Sequence, residues 1–310
     1  MLAGLLIGLL LGVVLGFSLA AGLYFSNLVR LIPVKPVEET FKTEVEAGVL
    51  DPERFEHLPK EEVRIPSPFG YELYGLYFPV PGSRKTVIIA HGITYTLYGS
   101  VKYMEVFRAA GYNTLLYDHR RHGRSGGADT GYGYYEAHDL KACVDWVLAR
   151  HGQDALVGTH GESLGAATAL LYAALDPRVH FVVADCPFAS AREIFAYRLQ
   201  QDFHLPAFPL IPIASLINKL RGGWFFGEVS PLRAVSSIKA ALLFIHGAED
   251  DFVPPHHSER LYARATSSLK RLWLAPGAKH AESLFKQREA YTQQVQAFLA
   301  EVEAALKPSA

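Results

Sequence analysis

Short apolar runs alternate with helix-period segments from Val63 to the C-terminal region, and this rhythm restricts the fold more than any other feature of the chain. Eight such runs fit strands, at 62–65, 72–78, 85–90, 113–117, 156–159, 181–185, 241–245 and 271–274. Between and after them, apolar positions at helical spacing predict helices at about 100–110, 135–150, 164–174, 256–265 and 285–306. Strands that alternate with helices join through crossovers, which predicts an α/β fold with a mostly parallel sheet. The first two runs are short and alternate in polarity, as an antiparallel lead-in would. Residues 188–228 break the rhythm. They are rich in Phe, Leu, Ile and Pro and read as a lid inserted over the strand ends.

The N-terminus is a different kind of segment. From Leu2 to about Leu28 no side chain is charged. A bilayer-spanning helix needs about 20 apolar residues, so 1–28 is expected to be a retained transmembrane anchor. Ser18-Leu19-Ala20 loosely fits a signal-peptide cleavage site, but no Lys or Arg precedes the run and the run is long for a signal. Arg30 and Lys35 flank its far end and favour a cytoplasmic domain. Glu38 and Glu39 follow closely, and the side stays unassigned. Gly4, Gly8, Gly12 and Gly16 recur every four residues, a spacing that lets two helices approach closely. Self-association through that row and the ordinary abundance of glycine in membrane helices both remain open. Residues 29–61 are polar and carry Pro33, Pro36, Pro52 and Pro59; they read as a linker with a short helix. The third segment, 62–310, is the catalytic-type domain.

Composition excludes several function classes. Lys and Arg number 30 against 31 Asp and Glu, so no basic excess points to nucleic acid. The two cysteines, Cys143 and Cys186, make neither a disulfide framework nor a zinc motif. No Walker loop, Gly-x-Gly-x-x-Gly or His-Glu-x-x-His occurs. The adjacent His256 and His257 diverge if they sit on a helix. Neither a metal nor a cofactor is expected.

The chemistry-bearing signal is Gly161-Glu162-Ser163-Leu164-Gly165, which follows an apolar run and precedes an Ala-rich helical stretch. A tight strand-to-helix turn strains the serine, and glycines on both sides relieve the crowding there. Serine needs a base to take its proton. His280, in the loop after the last strand, is the candidate. The base needs an orienting carboxylate. Asp250, in Asp250-Asp251-Phe252-Val253-Pro254, is the candidate, with Asp185 as its rival. Backbone amides of Leu164 and of Ile93, in the loop His91-Gly92-Ile93-Thr94, are expected to form an oxyanion hole. Asp118, Arg121 and His122 are expected to be structural, and Tyr132, Tyr134 and Tyr135 to pack.

These pieces, together with Asp118 to Gly126, Ser230-Pro231-Leu232 and His246-Gly247, resemble the α/β-hydrolase superfamily over everything past residue 60. They are most similar to the bacterial branch labelled serine aminopeptidase or monoacylglycerol-lipase-like. The resemblance implies an eight-stranded sheet, a lid between strands six and seven, and acyl transfer to water without a cofactor. The expected activity is carboxylic ester hydrolysis on a small acyl substrate, at a membrane. A peptidase or thioesterase would use the same three residues, and an inert membrane-tethered binding protein is the remaining alternative.

Overall fold

The computed structural model describes residues 1–307. One eight-stranded sheet runs β1(Glu61–Pro66), β2(Glu72–Phe78), β4(Asn113–Tyr117), β3(Lys85–Ala90), β5(Leu156–Glu162), β6(Phe181–Asp185), β7(Ala241–Gly247), β8(Lys270–Ala275) in space. β1 and β2 are antiparallel to their neighbours, and the other ladders are parallel. The lead-in and the parallel core are therefore as expected from the sequence. Parallel strands are buried on both faces. β4, β6 and β7 accordingly carry almost no exposed residue.

Among the described residues there are twelve α-helices: α1(Leu2–Arg30), α2(Val37–Glu46), α3(Pro52–His57), α4(Val101–Arg108), α5(Glu136–His151), α6(Leu164–Leu175), α7(Ala191–Phe203), α8(Ala207–Gly222), α9(Pro231–Ala234), α10(His256–Arg264), α11(Ser283–Lys286) and α12(Arg288–Leu306). On one face Val144, Leu170 and Leu261, from α5, α6 and α10, pack against Ile88 and Phe244. On the other, Phe107 of α4 and Phe298 of α12 pack against Ile89 and Leu243. Burying each such side chain stabilises the fold by about 1.5–3 kcal/mol. A third apolar cluster lies outside the sheet and joins Phe25 and Val29 of α1 to Ile194, Leu199, Ile211 and Ala214 of α7 and α8. α7 and α8 occupy the stretch expected to be a lid, between β6 and β7.

Two expectations need correcting. Residues 29–61 do not form a linker holding the domain away from a membrane. Phe41, Leu50 and Phe55 of this stretch pack into the core, and Thr40 shares a buried hydrogen bond with Thr96. Asp51 caps α3 by accepting from the amides of Glu53 and Arg54, with Pro52 in the first turn. Nor does the apolar helix end at residue 28. α1 runs to Arg30, and its last three turns belong to the domain. Ser18, Gly22, Phe25, Ser26 and Val29 are its buried positions. A Cβ on Gly22 would stand 2.5 Å from Cγ2 of Ile213 on α8. The small residues at 18, 22 and 26 let the two helices approach closely. Gly4, Gly8, Gly12 and Gly16 have nothing within 4 Å. Gly4 stands five full turns before Gly22 and so points to the same side, but that part of α1 has no neighbour there.

Candidate active site

β5 ends at Glu162, and α6 begins one residue after Ser163. Ser163 joins them at φ 54°, ψ −108°, a conformation that non-glycine residues adopt only under strain. The turn is closed too tightly for side chains on either flank. A Cβ on Gly161 would lie 2.1 Å from the Gly165 carbonyl carbon, and one on Gly165 would lie 2.1 Å from the Ala90 oxygen. The Ser163 amide donates to the Asp185 carbonyl at 2.8 Å, which ties the turn to β6.

The structure brings three expected residues into one hydrogen-bonded chain. His280 Nε2 is 3.0 Å from Ser163 Oγ, and His280 Nδ1 is 2.7 Å from Asp250 Oδ2. Asp250 is buried, and its Oδ1 accepts from the amides of Phe252 and Val253 at 2.9 and 2.8 Å. Burial opposes its ionisation, but hydrogen bonds from His246 and His280 outweigh burial and hold the carboxyl down to about 2. The rival acid is engaged elsewhere. Asp185 Oδ2 lies 3.1 Å from the Tyr103 hydroxyl, and burial first, then Glu162, pushes its carboxyl up to about 6.

Ile93 and Leu164 flank Ser163 on the floor of one cavity. Among the described residues, neither amide donates to a protein acceptor. Buried histidines fix the loop bearing Ile93. His91 Nδ1 is 2.7 Å from the Gly92 oxygen, and its Nε2 accepts from the His119 amide at 3.0 Å. His122 Nε2 accepts from the Thr94 amide at 3.3 Å, next to Ile93, while its Nδ1 faces the Arg120 oxygen at 2.8 Å. Burial drives His122 down to about 4, so it stays neutral and able to accept at neutral pH. Asp118 accepts from the Leu97 and Arg124 amides, in keeping with the structural part expected of it.

Sequence reasoning missed five contributors. His246 stands behind Asp250, with Nε2 3.1 Å from Oδ2 and Nδ1 2.7 Å from Ser258 Oγ. Buried Lys102 pairs with Glu162, the residue before the serine, and Tyr103 donates to the same carboxylate at 2.6 Å. Tyr132, expected only to pack, lines the cavity at φ 53°. A fifth is α1, whose Phe25, Leu28 and Val29 form part of the cavity wall. No motif marks them: Lys102 and Tyr103 meet Glu162 from far along the chain, and His246 reaches Asp250, four residues on, only once the end of β7 folds back.

The cavity has a volume of about 360 Å³, inside the range of about 300–1,000 Å³ usual for small-molecule sites. Its walls are almost wholly apolar, with Arg198 and Asp202 as the charged lining residues. Cys186, Asp250 and His280 place ligand-type atoms within 4.8 Å of one another. Burial first, then nearby carboxylates, pushes the Cys186 thiol up, and Asp250 and His280 turn their facing atoms to each other. This donor set is built for proton handling and not for a metal, which takes thiolate.

Comparison with known proteins agrees with the architecture. The family model for the alpha/beta hydrolase fold matches residues 85–212. The Bacillus subtilis protein YqkD is 42% identical over 283 residues, 91% of this chain and 92% of that one. A Saccharomyces cerevisiae protein described as an uncharacterized membrane protein is 27% identical over 187 residues, 58% of each chain. The solved structure of the Pyrococcus furiosus esterase Pf2001 superposes with a TM-score of 0.67 at 27% identity, covering 81% of this chain and 94% of that one. Sheet order, the turn at Ser163 and the reach of these matches agree: the chain belongs to the α/β-hydrolase superfamily.

Proposed function

We propose that this hydrolase cleaves carboxylic esters through an acyl-enzyme on Ser163, while α1 anchors it in a membrane by a single span. The observation that carries the reading is the chain Ser163–His280–Asp250 on the floor of an apolar cavity. Ser163 Oγ bonds to the substrate carbonyl carbon as its proton passes to His280 Nε2. The amides of Ile93 and Leu164 hold the resulting oxyanion, a contribution of about 3–4 kcal/mol each where such donors have been removed. The alkoxide leaves with the proton from His280. Water, deprotonated by the same nitrogen, then breaks the acyl bond and regenerates the serine, so ester and water become acid and alcohol. Asp250 keeps the imidazole in the tautomer that accepts at Nε2.

Ester specificity is supported by the apolar walls and by the likeness to a structure called an esterase. Peptide and thioester substrates would use the same three residues, and no lining group favours a peptide backbone. The membrane reading is supported by the uncharged run of α1 and by the yeast relative described as a membrane protein. The test is labelling by a fluorophosphonate and turnover of p-nitrophenyl butyrate. Wild type should do both and Ser163→Ala neither. A wild type that does not label, or an alanine variant that still turns over, refutes the proposal.

A further inference from the structure

We infer that α1 is a wall of the acyl site as well as an anchor, and that the substrate is a long-chain ester held in the bilayer, drawn in along α1 past the end of α7. The inference rests on the hydrolase reading of Ser163 and the membrane reading of α1. It adds a substrate class and a route.

Length is the first argument. The 29 residues of α1 extend about 44 Å at 1.5 Å each. The hydrocarbon core of a bilayer is about 30 Å thick. The excess, about nine residues, spans Gly22 to Arg30, most of the stretch packed on the domain from Ser18 onward. A hydrocarbon core around the start of α1 therefore ends about one turn inside the packed stretch.

Those packed turns are fastened to the domain. Arg30 binds Asp129 at 2.6 Å, Arg121 donates to the Ile32 carbonyl at 2.6 Å, and Arg221 donates to Asn27 at 2.6 Å. Held in this way, Phe25, Leu28 and Val29 face the same cavity as Ser163. The cavity and the membrane-crossing stretch are thus consecutive parts of one helix.

Part of the cavity rim lies against α1. Phe203 lines the cavity, is 38% exposed, and packs edge-on against Tyr24 and Phe25. Tyr24 is 54% exposed and Leu23 44%, one turn from the cavity wall. Beside them α8 exposes Phe208, Leu216 and Leu220. Water would make this apolar surface costly, whereas a lipid interface would not. An acyl chain leaving the bilayer along α1 meets apolar side chains from Leu19 through Tyr24 to Phe203 and then the cavity, without crossing water. Soluble short esters need no such path.

The test uses full-length wild-type protein in phosphatidylcholine nanodiscs and two phosphonate probes. One is ethyl fluorophosphonate; the other is a hexadecyl fluorophosphonate with a diazirine midway along its chain. The hexadecyl probe should label Ser163 at least tenfold faster, and illumination should cross-link its chain to residues 25–32 or to α7 and α8. Equal labelling rates, or cross-links confined to other segments, overturn the inference and leave the role of Ser163 standing. No labelling of Ser163 by either probe overturns both readings.

Discussion

Replacing Asp250 with asparagine is the sharpest perturbation of this site, because the structure dictates how the amide must sit. The Phe252 and Val253 amides donate to Oδ1 at 2.9 and 2.8 Å, so the asparagine oxygen has to stay there. Its NH₂ group then replaces Oδ2, 2.7 Å from His280 Nδ1 and 3.1 Å from His246 Nε2. Toward His280 it donates, which forces the imidazole proton onto Nε2, the nitrogen facing Ser163 at 3.0 Å. A base held in that tautomer cannot accept the serine proton, and the comparable change in a serine protease lowers kcat about 10⁴-fold. At 1.36 kcal/mol per decade this is a barrier increase of about 5.4 kcal/mol.

Stability should fall too, by a separable amount. The carboxyl is held at about 2, below its ordinary 3.8, so its ionised form is bound more tightly in the folded chain. The sign follows directly. This stabilisation, roughly 2 kcal/mol, is complete above pH 3.8 and is lost as pH falls through about 2. Asparagine removes it at every pH. The assay is kcat for p-nitrophenyl butyrate from pH 4 to 10 with thermal melts of the same samples. Asp185→Asn serves as control, since Asp185 faces Tyr103, and should cost less than tenfold. A loss under tenfold for Asp250→Asn, or a larger loss for Asp185→Asn, would refute the tautomer argument.

Other expectations follow from single contacts. Gly165→Ala puts a methyl group 2.1 Å from the Ala90 oxygen, and backbone cannot yield as a side-chain tip can; overpacking of this kind costs about 1–3 kcal/mol or more, to be read as a lower Tm together with lost turnover. Asp129→Ala leaves Arg30 and Arg120 facing each other in a largely buried site; losing one partner of such a pair costs about 3–5 kcal/mol, measurable by urea unfolding in detergent. Cys143 and Cys186 are fully buried, and burial pushes both thiols up, so iodoacetamide at pH 8 should modify neither before unfolding, as mass spectrometry would show. Deleting residues 1–16 spares Ser18 to Val29 and should leave the Tm within a few degrees, while deleting 1–28 strips Phe25 from its contact with Phe203 and should lower it markedly.

The parts of the site legible in the sequence are those that local chain geometry enforces. A Gly-x-Ser-x-Gly turn between a strand and a helix has one workable conformation, so Ser163 and the Leu164 amide followed from five residues. His280 and Asp250 followed because both sit just past strand ends, where parallel strands deliver side chains to a common edge. Residues whose contacts form only in the folded chain left no such trace. His246 supports Asp250 by a contact that depends on how the β7 end folds back toward Ser258. His122 works by accepting from Thr94, 28 positions away. The packed helices α2 and α3 were hidden by Pro33, Pro36, Pro52 and Pro59, which read as loop because proline ends helices as readily as it starts them.

The packed side of α1 was hidden for a different reason. A side facing protein is normally recognised as an apolar stripe on an otherwise polar helix. This helix is apolar on every side from Leu2 to Leu23, so hydrophobicity cannot say which side meets the lid. Side-chain size can. The row Gly4, Gly8, Gly12, Gly16 is regular, yet a Cβ at any of the four would meet no atom within 4 Å. The row that packs, Ser18, Gly22 and Ser26, is shorter and mixed in chemistry, and bulky Phe25 and Val29 follow beside it. Small residues mark where the backbones of α1 and α8 approach, and the large ones after them mark where the gap widens into the cavity beside Ser163. The change from small to large side chains along one face is therefore the physical record of where α1 passes from close packing on α8 to the cavity beside Ser163.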